Sequence, residues 1–204
     1  MKPYITTVVT PAATRDLITL DDLREQLRLK PNDTANDAWL AKVISRTSRQ
    51  AERYCNRIFA QQDYQDTFGI VTNNPGAPLS LGQAPVSVTS VTVDGAALDS
   101  SAWIADAEPG LLYNASDARQ WGSIDSIFVQ YTGGFDPIPD DVQQAVLELC
   151  VMENSGRGRD PMLRAKESPG LGREEFWVGG LPGGLGIPQD IAALLDPYAR
   201  GLIG

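Results

Sequence analysis

The sequence predicts an α+β fold: a small α-helical bundle with an inserted antiparallel β-sheet or hairpin, followed by an extended docking segment rich in glycine and proline. Three observations predict it. Apolar residues recur at helical spacing on both sides of the middle of the chain. Residues 62–133 are rich in Thr, Val, Tyr, Ser and Gly and contain frequent turn signals, as antiparallel sheets do. The last quarter is so rich in Gly and Pro that little of it can form an independent core.

These observations divide the chain into three predicted parts. The 204 residues, 42% of them hydrophobic, suffice for one main core. We expect an N-terminal arm over 1–16, a main domain over 17–156 and a C-terminal extension over 157–204. The predicted elements are helices at 17–29, 36–59, 139–155 and 188–196 and the β insertion at 62–133.

The first helix is predicted from the segment LITLDDLREQLRL, which begins with a capping signal. Thr19 and Asp22 are spaced as in a capping box, with Asp in place of the usual Glu. The helix should end before the Lys-Pro pair at 30–31, because the residue that precedes a proline is pushed out of the helical region. Its apolar side consists of Leu20, Leu23 and Leu27.

The second helix is predicted most clearly, because apolar residues keep helical spacing from Leu40 to Ile58. Its other face forms a basic stripe at spacings of four, three, four and four residues. A solvated or ion-paired face is the ordinary interpretation of such a stripe, and an interface with protein or DNA is the alternative. The basic stripe consists of Lys42, Arg46, Arg49, Arg53 and Arg57.

The β insertion contains a hairpin signal and a change of phase. Asp94-Gly95 is a tight turn after the strand VSVTSVTV, and Pro109-Gly110 is another turn before LLYN. The apolar alternation of VSVTSVTV changes parity, which predicts a bulge or bend near Thr89-Ser90. The last predicted strand places Ile127, Val129 and Tyr131 on one side.

The stretch YTGGFDPIPDD places Asp136, Asp140 and Asp141 after a pair of glycines. These acids could form a catalytic or metal-binding loop, but DPIPDD lacks the alternating oxygen ligands of an EF-hand. We interpret them as the start of the third helix. Pro139 suits the first helical position, and the two following aspartates meet the positive end of the helix dipole.

The C-terminal extension is predicted to dock on a partner. Apolar side chains in a segment rich in glycine are candidates for binding another chain, and the short helix should expose several of them. Packing on the protein's own core is the alternative. The candidate docking residues are Phe176, Trp177, Ile191, Leu194, Leu195 and Tyr198.

The composition excludes several kinds of active site. The chain has no histidine, which removes Ser-His-Asp and Cys-His catalysis and His-ligated zinc. The glycine-rich GGLPGGLG lacks the Lys-Ser/Thr of a phosphate loop and is interpreted as a linker. Asp63 and Asp66 are interpreted as surface residues of a strand rather than as an acid-base pair. We therefore predict no enzyme, and no catalytic, cofactor-binding or metal site.

Charge and cysteine content bear on partners and compartment. The formal net charge of -9 opposes general binding to the phosphate backbone of DNA. Cys55 and Cys150 belong to no CxxC pair and are expected to be buried free thiols, which fits a reducing compartment. No signal peptide or membrane span is apparent, so a soluble protein of the cytosol is expected.

The order of segments resembles tailed-phage head-tail connector (adaptor) proteins, which are also found in prophages and gene transfer agents. The resemblance rests on LITLDDLREQLRL, a long helix ending in AERYCNRIF, the PVSVTSVTVDG hairpin, YTGGFDPIPDDVQQAVLELC and GRGRDP. It covers most of 17–161. On this basis the domain at 17–156 is expected to be an adaptor domain without an active site or cofactor.

The resemblance also implies partners and a location. Such proteins assemble as a homo-oligomeric ring, commonly twelvefold, beneath the portal protein, and they link the capsid vertex to a stopper or tail-terminator protein. A C-terminal segment docks on the portal. DNA passes through the channel without sequence-specific binding, and no membrane is involved. The chain would thus lie in the neck of a virion or phage-like particle, assembled in the cytoplasm of the bacterial host.

A ring requires two different complementary patches on each subunit. The basic stripe could be one of them, facing Asp21, Asp22 and Glu25 of a neighbouring copy. A DNA-contacting packaging or regulatory factor that uses Lys42 to Arg57 is the alternative function.

Overall fold

The structure is a computed structural model that describes residues 5–30, 32–69, 78–115, 121, 125–157, 165–168, 172–175 and 186–200. The chain forms two compact units. The sheet unit comprises Met1–Thr14 and Ile58–Pro137, and the helical unit comprises Arg15–Arg57 and Ile138–Gly204. The predicted α+β class is confirmed, because the described residues include four α-helices and antiparallel sheets.

The helical unit is built around a long helix whose apolar side is fully buried. Helices α2 and α3 pack against each other, and α4 packs on both. The buried residues of α2 lie at helical spacing and include Leu40, Val43, Ile44 and Ala51. The elements are α1 (Leu20–Gln26), α2 (Asp37–Cys55), α3 (Asp140–Ser155), α4 (Gln189–Leu195) and a 3-10 turn (Asp196–Tyr198).

The ends of α1 follow from its caps. The predicted capping box is confirmed: the Asp22 N–H donates to Thr19 Oγ1 at 3.2 Å, and the Thr19 N–H donates to Asp22 Oδ2 at 2.8 Å. Since Thr19 is extended, the helix begins at Leu20 rather than at residue 17. It ends early because Arg28 has a φ of 52°, which no right-handed helix can accommodate.

The other helices are also shorter than predicted. Asn56 adopts the left-handed conformation, with a φ of 49°, and ends α2 at Cys55 instead of residue 59. Pro139 is the N-cap of α3 and not its first helical residue, since its ψ of 140° is extended. Likewise Pro188 is extended and caps α4, which begins at Gln189.

The described residues of the sheet unit form two antiparallel sheets. The larger one has five strands in the order β1-β2-β8-β4-β5, and the smaller one has three in the order β3-β7-β6. The strands are β1 (Ile5–Thr10), β2 (Gln62–Phe68), β3 (Leu79–Ser80), β4 (Val86–Val93), β5 (Ala96–Ala97), β6 (Trp103–Asp106), β7 (Leu111–Asn114) and β8 (Ile127–Gly133). A separate antiparallel pair, β9 (Ala165–Ser168) and β10 (Gly172–Glu175), lies in the predicted C-terminal extension.

Several predicted details of the β insertion are confirmed. The pairing of β4 with β8 shifts register between Val88 and Ser90, which is the expected bulge. The Asp94-Gly95 turn connects β4 to β5, and both residues have positive φ, 47° and 82°. Gly110 also has positive φ, 68°, immediately before β7.

The core of the sheet unit lies on one face of the large sheet. Phe68, Val91, Ile127 and Val129 are fully buried there, and Tyr64 stacks on Tyr131 with ring centroids 5.5 Å apart. The predicted arm contributes the strand β1, which pairs with β2. The predicted limits 1–16, 17–156 and 157–204 stay a prediction, although the two compact units run across them.

No helix among the described residues is long and apolar enough to cross a membrane.

Candidate functional site

The acidic stretch after β8 forms a strand end, a turn and a helix start. Asp140 and Asp141 lie in the first turn of α3 and are exposed, where they complement the helix dipole. The Tyr198 side chain hydrogen-bonds Asp141, and burial together with that carboxylate raises the pKa of Tyr198. Within the described ranges, no group of three or more Cys, Asp or Glu side chains could hold a metal ion.

The basic stripe lies on the solvent side of α2 for most of its length. Lys42, Arg46, Arg49 and Arg53 are exposed on the helix. Arg57 differs from them, because the left-handed Asn56 places it beyond the helix end. Its Nη1 donates to the Tyr198 carbonyl at 3.4 Å, and its side chain is half-buried. The stripe that α2 presents therefore consists of four residues.

Arg46 is paired within its own unit. It forms an ion pair with Glu153 of α3, and its guanidinium lies 5.1 Å from the centroid of the Trp39 ring. Arg157 stacks on the same ring at 4.8 Å, so Trp39 has two cation-π partners. This cluster connects the first turns of α2 to the end of α3.

Arg49 contributes to an internal charge network. Its Nη1 lies 3.3 Å from Glu52 Oε2, and Arg15 Nη2 lies 2.5 Å from the same oxygen. Glu52 is only 4% exposed, so two cations compensate one buried carboxylate. Arg49 thus helps to stabilise the buried carboxylate of Glu52.

Two members of the stripe remain for a partner. Lys42 and Arg53 form no ion pair within the part of the chain that the structure describes. Open grooves run between the side chains of the stripe, one bordered by Trp39 and Lys42 and the next by Arg49, Arg53 and Glu153. Arg46 and Arg49 are therefore ion-paired, whereas Lys42 and Arg53 are exposed to solvent, and both conditions agree with the ordinary interpretation of a solvated or ion-paired face.

The acidic residues proposed to face the stripe lie on α1. Asp21, Asp22 and Glu25 are all exposed. Asp22 also accepts from Thr19 in the capping box. Asp21 and Glu25 are four residues apart on the helix and therefore share one face. The chain thus presents a basic and an acidic surface on two different helices of one unit.

The candidate docking residues of the C-terminal helix are mostly internal. The expected exposure of Ile191 and Leu195 is wrong, because they are 2% and 0% exposed. The seven-residue helix α4 packs against α2 and α3, so its apolar side completes the core of its own unit. Leu194 and Tyr198 are half-buried, and Phe176 and Trp177 lie outside the described residues. Docking by these four residues stays a prediction.

Polar contacts hold this C-terminal segment in place. The Tyr54 hydroxyl donates to Asp196 Oδ1 at 2.5 Å, and this bond raises the pKa of Tyr54 to about 12. The Arg200 N–H donates to the Cys55 carbonyl at 2.9 Å. The end of α2 therefore binds the C-terminal segment within the helical unit.

Both thiols are buried and free, as predicted. Burial raises the pKa of Cys55 to about 12 and that of Cys150 to about 11. Cys150 Sγ lies 3.0 Å from Thr47 Oγ1 in the contact between α2 and α3. Thiols with such pKa values are inert at neutral pH.

Asp66 is a buried residue that the sequence did not identify. The expected surface position is wrong, because Asp66 is 0% exposed on β2. The Gly82 N–H donates to Asp66 Oδ2 at 2.6 Å, and the Tyr131 hydroxyl donates to it at 3.1 Å. Burial raises the pKa of Asp66, while hydrogen bonds from Thr6, Gly82 and Tyr131 oppose that shift. Its parity with Tyr64 and Phe68 on β2 was the available signal.

A sequence model of the family described as head completion protein matches residues 16–152, more than half of the chain. The chain belongs to the head completion protein family. This match confirms the resemblance to head-tail connector proteins, and the family is a structural one of phage particles. No curated protein matches the chain.

Solved structures of gene transfer agent (GTA) particles contain chains of similar fold. One is from the neck of an empty GTA particle computed with C6 symmetry, with a TM-score of 0.60 and 18% identity. Another is from the virion of a native GTA particle, with a TM-score of 0.61 and 16% identity. A third is from the neck of a native GTA particle computed with C12 symmetry, with a TM-score of 0.52 and 17% identity. In each case the match covers 98% of both chains.

Proposed function

We propose that this head completion protein is an adaptor subunit in the neck of a phage or phage-like particle. Copies form a ring beneath the portal protein, link the capsid vertex to the stopper or tail-terminator protein, and surround the channel for DNA. The family match over 16–152 is the observation that most supports this function. The fold, similar along 98% of its length to chains of GTA necks and virions, supports the location.

The ring is proposed to be twelvefold. The C12 symmetry of one of the similar neck structures supports this number. A closed ring needs a head-to-tail contact between two unlike surfaces. Lys42 and Arg53 on α2, with Asp21 and Glu25 on α1, supply surfaces of opposite charge. Complementary charge favours correct orientation of the subunits more than it adds affinity.

The charge of the sheet unit fits passage of DNA. Its described part contains Asp and Glu but no Lys or Arg. A wall of that sign repels the phosphate backbone, so DNA slides past and does not bind. The alternative of a DNA-contacting factor is also disfavoured because Arg46 and Arg49 of the basic stripe already form internal ion pairs.

Copurification with the portal protein tests this function. The purified chain should bind portal and should cause no mobility shift of duplex DNA at any salt concentration. A shift that weakens steeply with salt, in a chain that does not bind portal, would establish the DNA-contacting alternative instead.

A further inference from the structure

Strand β1 presents an exposed apolar edge. All six of its residues, ITTVVT, are exposed. Ile5, Val8 and Val9 are 51%, 44% and 55% exposed, and the fourth large hydrophobic residue with similar exposure among the described residues is Ile104. Three exposed apolar side chains on one short strand indicate an interaction surface.

The inner side of β1 is firmly held, whereas its outer side has no partner strand in the described ranges. β1 pairs with β2 from Ile5 opposite Thr67 to Thr10 opposite Asp63. The Thr6 side chain hydrogen-bonds the buried Asp66. Since β1 is the first strand of its sheet, half of its backbone N–H and C=O groups point away from β2.

The distribution of charge in the sheet is the reverse of the usual one. Proteins ordinarily protect an exposed edge with charged residues or proline inside the edge strand. Here β1, β4 and β5 contain neither, while the inner strand β2 contains Asp63 and Asp66. An edge without that protection is suited to accepting another strand.

The opposite edge of the same sheet contains a four-residue stretch, Ser87–Ser90, between two internal contacts: the Val86 N–H donates to the Ala107 carbonyl at 3.0 Å, and the Leu98 N–H donates to the Val91 carbonyl at 2.9 Å. β5 pairs only with Thr92 and Val93, so Ser87–Ser90 of β4 pair through their backbone only with β8 among the described residues. Ser87 and Thr89 are exposed. Thr89 is the bulged residue, and the extra residue of a bulge is left unpaired by its own ladder.

Strand direction favours one arrangement of two copies. Neighbouring strands alternate in direction from β1 through β2 and β8 to β4. A strand with the direction of β1 would therefore continue the alternation when placed beside β4. The two edges are different surfaces of one subunit, as a head-to-tail contact requires.

We propose that β1 of one copy pairs antiparallel with Ser87–Ser90 of β4 in a second copy, so that the sheet continues from subunit to subunit. This inference rests on the proposed ring and names one of its contacts. It is independent of the charged surfaces on α1 and α2, which belong to the helical unit.

Engineered disulfides test the pairing directly. Paired Cα atoms in antiparallel strands are about 4.5 to 5.5 Å apart, within disulfide range. Thr7→Cys and Thr89→Cys are made singly and together, and the assembled protein is oxidised with portal present. The native thiols do not interfere, since both are buried. The double variant should give a ladder of covalent oligomers, the two single variants mixed should give dimers, and each single variant alone should stay monomeric on denaturing gels.

Each other outcome is decisive. Dimers from Thr7→Cys alone would mean that β1 pairs with itself, which overturns the proposal. Closed oligomers that form without any cross-link would overturn the strand pairing and leave the adaptor function intact. A chain that forms no oligomer and binds no portal would overturn both.

A charge at the edge gives a second readout. Val9→Lys should weaken assembly by about tenfold or more, because lysine protects an edge from pairing. Gln144→Lys is the control, since it adds the same charge at an exposed residue of α3, outside both proposed edges. Equal assembly of the two variants would contradict the proposal.

Discussion

Arg15 Nη2 lies 2.5 Å from Glu52 Oε2, and the Glu52 side chain is 4% exposed. This pair connects the segment before α1 to the last turn of α2. The Leu17 N–H donates to Ser48 Oγ at 3.0 Å one turn earlier on the same helix. The Ser45 hydroxyl also donates to Asp16 Oδ1 at 2.8 Å, so an ion pair and several hydrogen bonds hold the first segment of the helical unit on α2.

Arg15→Ala should lower the free energy of unfolding by about 2 kcal/mol, because it removes a partner of a buried carboxylate. Arg49 remains near Glu52 and limits the loss. Urea unfolding monitored by circular dichroism measures the change. Arg53→Ala is the control, since this exposed residue has no ion pair in the described ranges, and it should change stability by less than about 0.5 kcal/mol. Equal effects of the two substitutions would contradict the role of the pair.

Substitutions at Asn56 should change stability according to how well the new residue tolerates a left-handed backbone. Asn56 has a φ of 49°, which glycine adopts freely and valine does not. Asn56→Gly should therefore stabilise the protein by about 0.5 kcal/mol, and Asn56→Val should destabilise it by about 1 to 2 kcal/mol. Thermal unfolding of both variants gives the comparison. A valine variant as stable as the glycine variant would mean that α2 continues past Cys55.

Asp66 should make folding stability depend on pH with a defined sign. Its pKa is raised above 3.8 in the folded protein, so the neutral form is favoured by folding. The stability of the native protein relative to Asp66→Asn is therefore greatest below about pH 4 and falls as the pH rises through the folded pKa. The loss is about 1.4 kcal/mol for each pH unit that separates the unfolded pKa from the folded pKa. Urea unfolding of both proteins across this range measures the difference. A difference that grows with pH would show a lowered pKa and contradict the account.

Neither thiol should react with a disulfide reagent in the folded protein. The pKa values of Cys55 and Cys150, about 12 and about 11, leave almost no thiolate near neutral pH, and both side chains are inaccessible. Labelling should be complete only in denaturant. Rapid reaction of one thiol per chain without denaturant would show that the contact between α2 and α3 or α4 opens readily.

Reversing the unpaired charges of α2 should prevent assembly without unfolding the monomer. Lys42→Glu with Arg53→Glu should eliminate closed oligomers in sedimentation experiments, because it places acids opposite Asp21 and Glu25. Arg49 is left unchanged, since it supports Glu52. Lys42→Arg with Arg53→Lys preserves the charge and should assemble normally.

A second reversal tests the partner surface. Asp21→Lys with Glu25→Lys, combined with the reversed α2, should restore assembly if these surfaces meet. Failure to restore it, with both variants folded, would exclude this pair of surfaces and leave the family assignment unaffected.

Local signals predicted much of the fold. The Thr19 capping box, the bulge near Thr89 and the Asp94-Gly95 turn depend on side chains and backbone within a few residues, and all three are present. The helix ends were less accurate, because Asn56 tolerates both helical and left-handed conformations and its neighbours do not decide between them.

Features that depend on distant residues were predicted poorly. Asp66 is buried because Gly82 and Tyr131, far from it in sequence, supply its hydrogen bonds. Ile191 and Leu195 were expected to face a partner, since nothing near them in sequence reveals that α2 and α3 cover them. The division of the basic stripe likewise depends on Glu153 and Arg15.

Electron microscopy of the purified chain mixed with its portal protein tests the proposed function most directly. Closed rings of this chain seated on the portal, with an open central channel, are the predicted result. Portal particles without added density, beside a chain that remains monomeric at every concentration, would contradict the account.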